Sequence, residues 1–285
     1  MTFNDLSGLM PMLLPAVGGV FILVMVALGL DKDIRWPAIY TVLFLLVSAS
    51  QAASLLARGY RDELFDGAVR VDPRALAFHL IFVIVALLTV LSSAGHLRAV
   101  GYGYGEFFAL IQFSVTGMSM MASSENLLTI FLGLEILSIS LYVLAGFTRD
   151  QVNAIEGALK YFLLGAFSTG FLLYGIALFF GASGRIDLPG IASHLASGRG
   201  GPADPMVLAA MGLILIGLTF KVAAVPFHMW APDVYQGAMA PVAGFMAAGT
   251  KAAAFAALLR VLDVALADDP LRARWSATLH GMALL

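Results

Sequence analysis

Residues Phe220 to Phe255 read FKVAAVPFHMWAPDVYQGAMAPVAGFMAAGTKAAAF and hold two lysines, Lys221 and Lys251, in otherwise apolar surroundings, with Pro226 and His228 between them. A charged side chain at the centre of a hydrocarbon layer costs about 2.5 to 3.5 kcal/mol on insertion scales, so lysines placed this way are functional candidates by default. Pro226 removes a backbone N–H and obstructs the preceding turn, which predicts a helix that breaks between the two lysines. In a bilayer, such a break is tolerated where the freed carbonyls face protein or a watery cavity.

The rest of the chain supplies the membrane. Hydrophobic residues make up 60% of the 285 residues and charged residues 12%, about half the charge of an ordinary soluble domain. Apolar runs fall at Leu9 to Leu30, Trp36 to Ala57, Ala75 to Leu97, Gly105 to Ala122, Asn126 to Phe147, Ile155 to Gly181, Pro205 to Trp230 and Ala238 to Leu262. Each approaches the 20 or so residues a spanning helix needs, and the runs lack the alternation of barrel strands. The reading is an all-α polytopic membrane protein with eight complete transmembrane helices and a partial ninth beginning near Trp275. The connections from Arg58 to Arg74 and from Ile186 to Asp204 read as loops, the second because of GRGGPADP. The N-terminus lacks the basic region of a signal peptide, so the first run is expected to be a retained span.

Composition also narrows the chemistry. The chain has no cysteine, hence no disulfide and no thiolate-held iron–sulfur cluster. A net charge of -2 gives no basic surface for nucleic acid. No phosphate-binding loop, metal-ligand cluster or nucleophile–base set is present, which leaves proton movement as the chemistry to expect and gives no metal or cofactor role to this chain.

The cations are sorted by type. Arginines fall in loops or at span ends, Arg260 among them, whereas Lys160, Lys221 and Lys251 fall within spans. Arginine keeps its charge under almost any condition, while a buried lysine can release its proton. Glu135, in FLGLEILSIS, lies mid-span and could meet Lys221 and Lys251 at the bilayer midplane, either as a modulator of proton affinity or as a structural ion pair. Lys160 has Glu156 four residues before it, the favourable helix order, so it reads equally as a snorkelling residue. His228 follows Lys221 by two helical turns and titrates near neutrality, and it could equally anchor the helix end beside Trp230. His79 and His96, near the ends of the third run, read as interfacial. Alanine and glycine around Lys251 permit close helix approach.

The segments FLGLEILSISLYVLAGF, EGALKYFLLGAFSTGFLLYG and GLTFKVAAVPFHMWAPDVYQGAMAPVAGFMAAGTKAAAFAALLRVL, in that order, resemble the antiporter-like membrane subunits of bacterial NADH:quinone oxidoreductase, respiratory complex I, within them the subunit N group. The resemblance runs from about Val71 onward and is strongest from Gly217 to Leu262. It implies fourteen helices with two inverted five-helix repeats, of which this chain would hold residues 1–104 as an N-terminal three-helix segment, residues 105–262 as the first repeat with its broken seventh helix, and residues 263–285 as the start of an incomplete second repeat. It further implies proton-transfer roles for Glu135, Lys160, Lys221, His228 and Lys251, in a half-channel and a central polar axis. Quinone and NADH would act at other subunits, and the partners would be the other membrane subunits of complex I together with lipid, in the bacterial inner membrane. Met239 stands where the family usually has proline, and the lysine of the second repeat has no counterpart, so the sequence reads as a fragment or a short form. Loop charge would place the N-terminus in the cytoplasm, whereas the resemblance implies the periplasmic side. A cation/proton antiporter subunit and a purely structural scaffold are the rival readings.

Overall fold

A computed structural model describes residues 3–99, 101–197, 204–267 and 269–284. The elements in chain order are α1 (Phe3–Ala27), α2 (Arg35–Ala57), β1 (Asp62–Leu64), β2 (Val69–Val71), α3 (Pro73–Ala99), α4 (Glu106–Ser123), α5 (Leu127–Ala145), α6 (Val152–Ser183), α7 (Leu188–Ala196), α8 (Pro205–Val222), α9 (Ala231–Gly237), α10 (Ala240–Phe245), α11 (Lys251–Arg260) and α12 (Asp269–Leu284). A π-helical turn, Met246–Thr250, joins α10 to α11, and a second, Val261–Ala265, extends α11, so that Ala240–Ala265 forms one long helix.

Seven of these helices are long and apolar enough to cross a membrane by length and composition. The fourth expected span, α4, is helical but less apolar, because Gln112, Ser114, Thr116, Ser119 and Ser123 lie along it. Those residues are buried against α1, α3, α5 and α11. A helix enclosed by other helices is shielded from lipid by protein, so it can carry polar side chains that a lipid-facing helix could not. At the α4–α5 crossing, a Cβ on Gly117 would lie 2.5 Å from the Gly133 carbonyl oxygen, and one on Gly133 would lie 2.8 Å from that of Gly117. Only glycine permits this backbone-to-backbone approach.

The two long connections are more ordered than the sequence suggested. Residues 62–71 form an antiparallel hairpin, pairing Asp62 with Val71 and Leu64 with Val69. The second connection contains α7, whose Leu188, Ile191 and Leu195 are buried, while its segment 198–203 lies outside the described residues. Isolated bridges join Val69 to Ser124 and Asn126 to Asp187, gathering the hairpin, the α4–α5 turn and the start of α7 at one end of the bundle. The helix starts there are capped: Asn126 accepts from the Leu128 N–H, Asp187 from the Gly190 N–H and Asp204 from the Met206 N–H, each satisfying a donor the helix cannot.

Two polar groups are buried at this end and just inside it. Arg260, near a span end as expected, is 2% exposed. Its guanidinium donates to the Ala122 carbonyl at 3.0 Å and pairs with Asp72 at 3.0 Å and Glu125 at 3.3 Å. Arg70 reaches the same Glu125 oxygen at 3.0 Å. His79, expected at an interface, is also buried, between α2 and α4.

Candidate functional site

The site forms where α8 stops. Thr219 and Phe220 accept from the Ala224 and Ala223 N–H groups, and Ala223 adopts φ +61°, the left-handed conformation that ends a helix. The chain then turns through Pro226 and resumes as α9, and both halves pack along α6. Trp230, almost fully buried, donates from its indole N–H to the Phe220 carbonyl at 3.0 Å, serving one of the acceptors exposed by the break.

Lys221 therefore lies in the last turn of a broken helix, not in the middle of a continuous one. It is 2% exposed. Its ammonium donates to Ser138 Oγ at 2.9 Å and to the Tyr161 hydroxyl at 2.7 Å, and it sits 5.1 Å from the Tyr161 ring centre and 5.9 Å from that of Tyr142. Ser138 already donates to the Leu134 carbonyl, so towards the lysine it is an acceptor. The Tyr161 hydroxyl can also turn and donate, which lets the same pocket serve an amine as well as an ammonium.

Glu135 lies one turn before Ser138 and two before Tyr142, on the same face of α5. Its Oε1 is buried and has no hydrogen-bond partner. Among the described residues, no carboxylate stands within 4.0 Å of Lys221. Glu135 therefore lies on the face of α5 that Lys221 reaches through Ser138, without closing an ion pair with the lysine.

The other sequence candidates divide. Lys251 directly follows the π turn, and its ammonium lies 6.0 Å over the Tyr235 ring. Tyr161 stacks on Trp230 at 4.6 Å and Trp230 meets Tyr235 edge-on at 6.0 Å, so an unbroken file of aromatic rings separates Lys221 from Lys251. The Tyr235 hydroxyl is buried without a partner. Lys160 is half-exposed and pairs with both Glu156 and Asp233 at 2.7 Å, fastening α6 to α9. His228 is exposed in the turn after α8, and the helix that would have aligned it with Lys221 ends at Val222.

Sequence reasoning missed Ser138, Tyr142, Tyr161, Trp230, Tyr235 and Asp233. A helical projection centred on Glu135 would have found Ser138 and Tyr142. Among the described residues, no three side chains of His, Asp or Glu gather as metal ligands.

A broken helix, a buried lysine before the break, a partly buried lysine after it and a carboxylate on α5 define a helical membrane protein of the antiporter type. The chain belongs to the NADH:quinone oxidoreductase/Mrp antiporter transmembrane family, whose model matches residues 124–285. It is similar to NADH-quinone oxidoreductase subunit N of Trichlorobacter lovleyi, with 50% identity over 78% of this chain and 45% of that protein, and to its counterpart in Salinibacter ruber, with 49% identity over 73% of this chain and 40% of that protein. Among solved structures it resembles a chain of respiratory complex I from Thermus thermophilus with bound aureothin, at TM-score 0.74 and 38% identity, covering 88% of this chain and 53% of that one. The chain thus spans about half the length of the relatives it matches.

Proposed function

We propose that this chain contributes half of a proton path to a bacterial NADH:quinone oxidoreductase. In this reading, residues 105–262 act as the repeat that carries the path, while NADH oxidation and quinone reduction occur in other subunits, with no cofactor bound here. The setting is the bacterial inner membrane, and the partners are lipid and the other membrane subunits of the complex. Lys221 takes up and releases the proton. Glu135 sets the balance by charge, since a nearby carboxylate favours the ammonium and its neutralisation or withdrawal favours the amine. Lys251 receives the proton beyond the aromatic file. Lys160 acts as a fastening of α9 to α6, and His228 has no part in the path.

The observation that carries this reading is a buried lysine held by two hydroxyls, with Glu135, whose buried Oε1 has no hydrogen bond, one turn from Ser138 on α5. A structural ion pair would have brought Glu135 into contact with Lys221, leaving neither group unpaired. The test is Lys221→Ala in the assembled complex, with NADH-driven acidification followed in membrane vesicles. Loss of acidification with the chain still present in the complex is expected; full acidification would end the proposal. In the scaffold reading, Lys221→Met combined with Glu135→Gln would leave both assembly and acidification intact.

A further inference from the structure

His79, on α3, bridges two serines in the N-terminal part of the bundle. Its Nε2 is 2.7 Å from Ser48 Oγ on α2 and its Nδ1 is 2.7 Å from Ser119 Oγ on α4. The proton roles follow from the backbone. α1 contains Pro11 and Pro15, and a helical carbonyl is normally served by the N–H four residues later. Pro15 has no N–H, so the Pro11 carbonyl lacks its helical donor. Ser48 supplies that donor, its hydroxyl lying 2.7 Å from the Pro11 carbonyl oxygen. With its hydrogen committed there, Ser48 can only accept from the histidine, which places a proton on Nε2.

Ser119 is not committed in the same way. Its hydroxyl lies 2.8 Å from the Val115 carbonyl, an oxygen that the helix already serves. Pointed at Val115, it accepts from a protonated Nδ1 and the ring is an imidazolium. Turned towards the ring, it donates to an unprotonated Nδ1 and the ring is neutral. Both charge states are fully hydrogen-bonded, and one hydroxyl rotation converts the surroundings of one into those of the other.

His79 also borders a cavity. This cavity, of about 30 Å³ beneath the hairpin, has a mostly apolar lining from α1, β2 and the start of α3, into which His79, Ser119 and Ser123 bring polar groups, with room for a water molecule. Among the described residues, His79 is the titratable group in its lining, and α1, α2 and α4 bring no charged side chain to it. Charged groups at the nearby bundle end include Arg70 on β2, Asp72 before α3, Glu125 in the α4–α5 turn and Arg260 on α11, which are paired with one another, Glu63 on β1, which pairs with Arg70, and Arg74 on α3, which pairs with Asp263.

We infer that His79 is a second proton-binding site, separate from Lys221, with Nε2–H fixed by Ser48 and a proton exchanged at Nδ1 through Ser119 and the cavity below the hairpin. A hydrated proton entering the cavity forms the Nδ1–H bond and leaves neutral water behind; the reverse step returns it.

The test is nitrogen-15 magnetic resonance of the histidine-labelled chain in lipid bilayers, with His79→Gln identifying the His79 signals among those of five histidines. The expected neutral form carries its proton on Nε2 alone, and acidification adds a signal for protonated Nδ1. In Ser48→Ala the neutral ring changes from a single tautomer to a mixture of two, because nothing then holds the proton on Nε2. Lys221→Ala should leave all these signals unchanged, which separates this proposal from the previous one. A neutral ring protonated at Nδ1 in the unaltered chain, or an Nδ1 that gains no proton over the pH range in which the chain stays helical, would overturn it. The unaltered chain suffices for both outcomes, so a variant that fails to fold leaves the proposal testable.

Discussion

Arg260 and Lys221 are equally buried, each 2% exposed, yet their surroundings are opposite in kind. Arg260 has a carboxylate on two sides and a carbonyl on a third, so its permanent charge is answered by permanent partners. Lys221 has two hydroxyls and two aromatic rings, while Glu135 is left unpaired. Burial alone therefore does not mark a working group. A cation enclosed by counter-charges is fixed in one state, whereas a cation enclosed by groups that donate and accept equally well can change state without leaving an orphaned polar atom.

Breaking the fixed site should have the largest effect. Arg260→Met leaves Glu125 buried with only Arg70 to answer it, at a cost of about 3 to 5 kcal/mol. The expected result is a strong loss of the chain from membranes, measured by immunoblot beside the unaltered protein. Arg260→Lys should recover little, since an ammonium cannot reproduce the fork that reaches Asp72, Glu125 and Ala122 together.

At the exchanging site a single hydroxyl matters less to stability and more to activity. Tyr161→Phe removes one of the two acceptors of Lys221 and should cost about 1.5 to 3 kcal/mol, the range for hydrogen bonds to charged groups. Thermal unfolding in detergent would read this, and NADH-driven acidification by the complex should fall further than stability explains. Equal losses in both would reduce Tyr161 to a packing residue.

Smaller effects separate the two ends of the bundle further. The Arg185 side chain, 2.7 Å from Asp187, holds that carboxyl below its ordinary value, and the Gly190 N–H adds to this. A carboxyl whose value is lowered by folding contributes stability that is present above the unfolded value of about 3.9 and lost as pH falls through the folded value. The pair is partly exposed and is discounted for screening to below about 1 kcal/mol. Asp187→Asn should therefore lower neutral stability by up to about 1 kcal/mol and flatten the acid limb of the unfolding curve, so that the variant and the unaltered chain converge below about pH 4. The smallest expected change is at the helix break, where Ala223 adopts a conformation that costs a residue with a Cβ about 1 kcal/mol. Ala223→Gly removes that cost and adds freedom to the unfolded chain, for a net gain of a few tenths of a kcal/mol in thermal unfolding.

The spans were legible because lipid imposes long apolar runs, and Lys221 and Lys251 stood out because hydrocarbon makes a lysine conspicuous. Pro226 announced the break, although not that Lys221 would end the helix before it. The burial of Arg260 was not legible for a physical reason: its partners Asp72 and Glu125 lie far away in sequence, and an arginine near a span end ordinarily reaches water. Ser138 and Tyr161 were silent because serine and tyrosine are unremarkable in a membrane helix until a lysine is placed beside them. The commitment of Ser48 was readable in part, since the spacing of Pro11 and Pro15 declares a carbonyl without a donor, but only the fold shows which side chain supplies it.

The contact between Gly117 and Gly133 has a mechanical consequence. With no space for even a methyl group between their backbones, α4 and α5 form a single stiff beam with His79 bonded to one side through Ser119 and the Glu135 carboxylate on the other. Packing this close resists relative movement of the two helices, so the surroundings of His79 and those of Glu135 are mechanically joined.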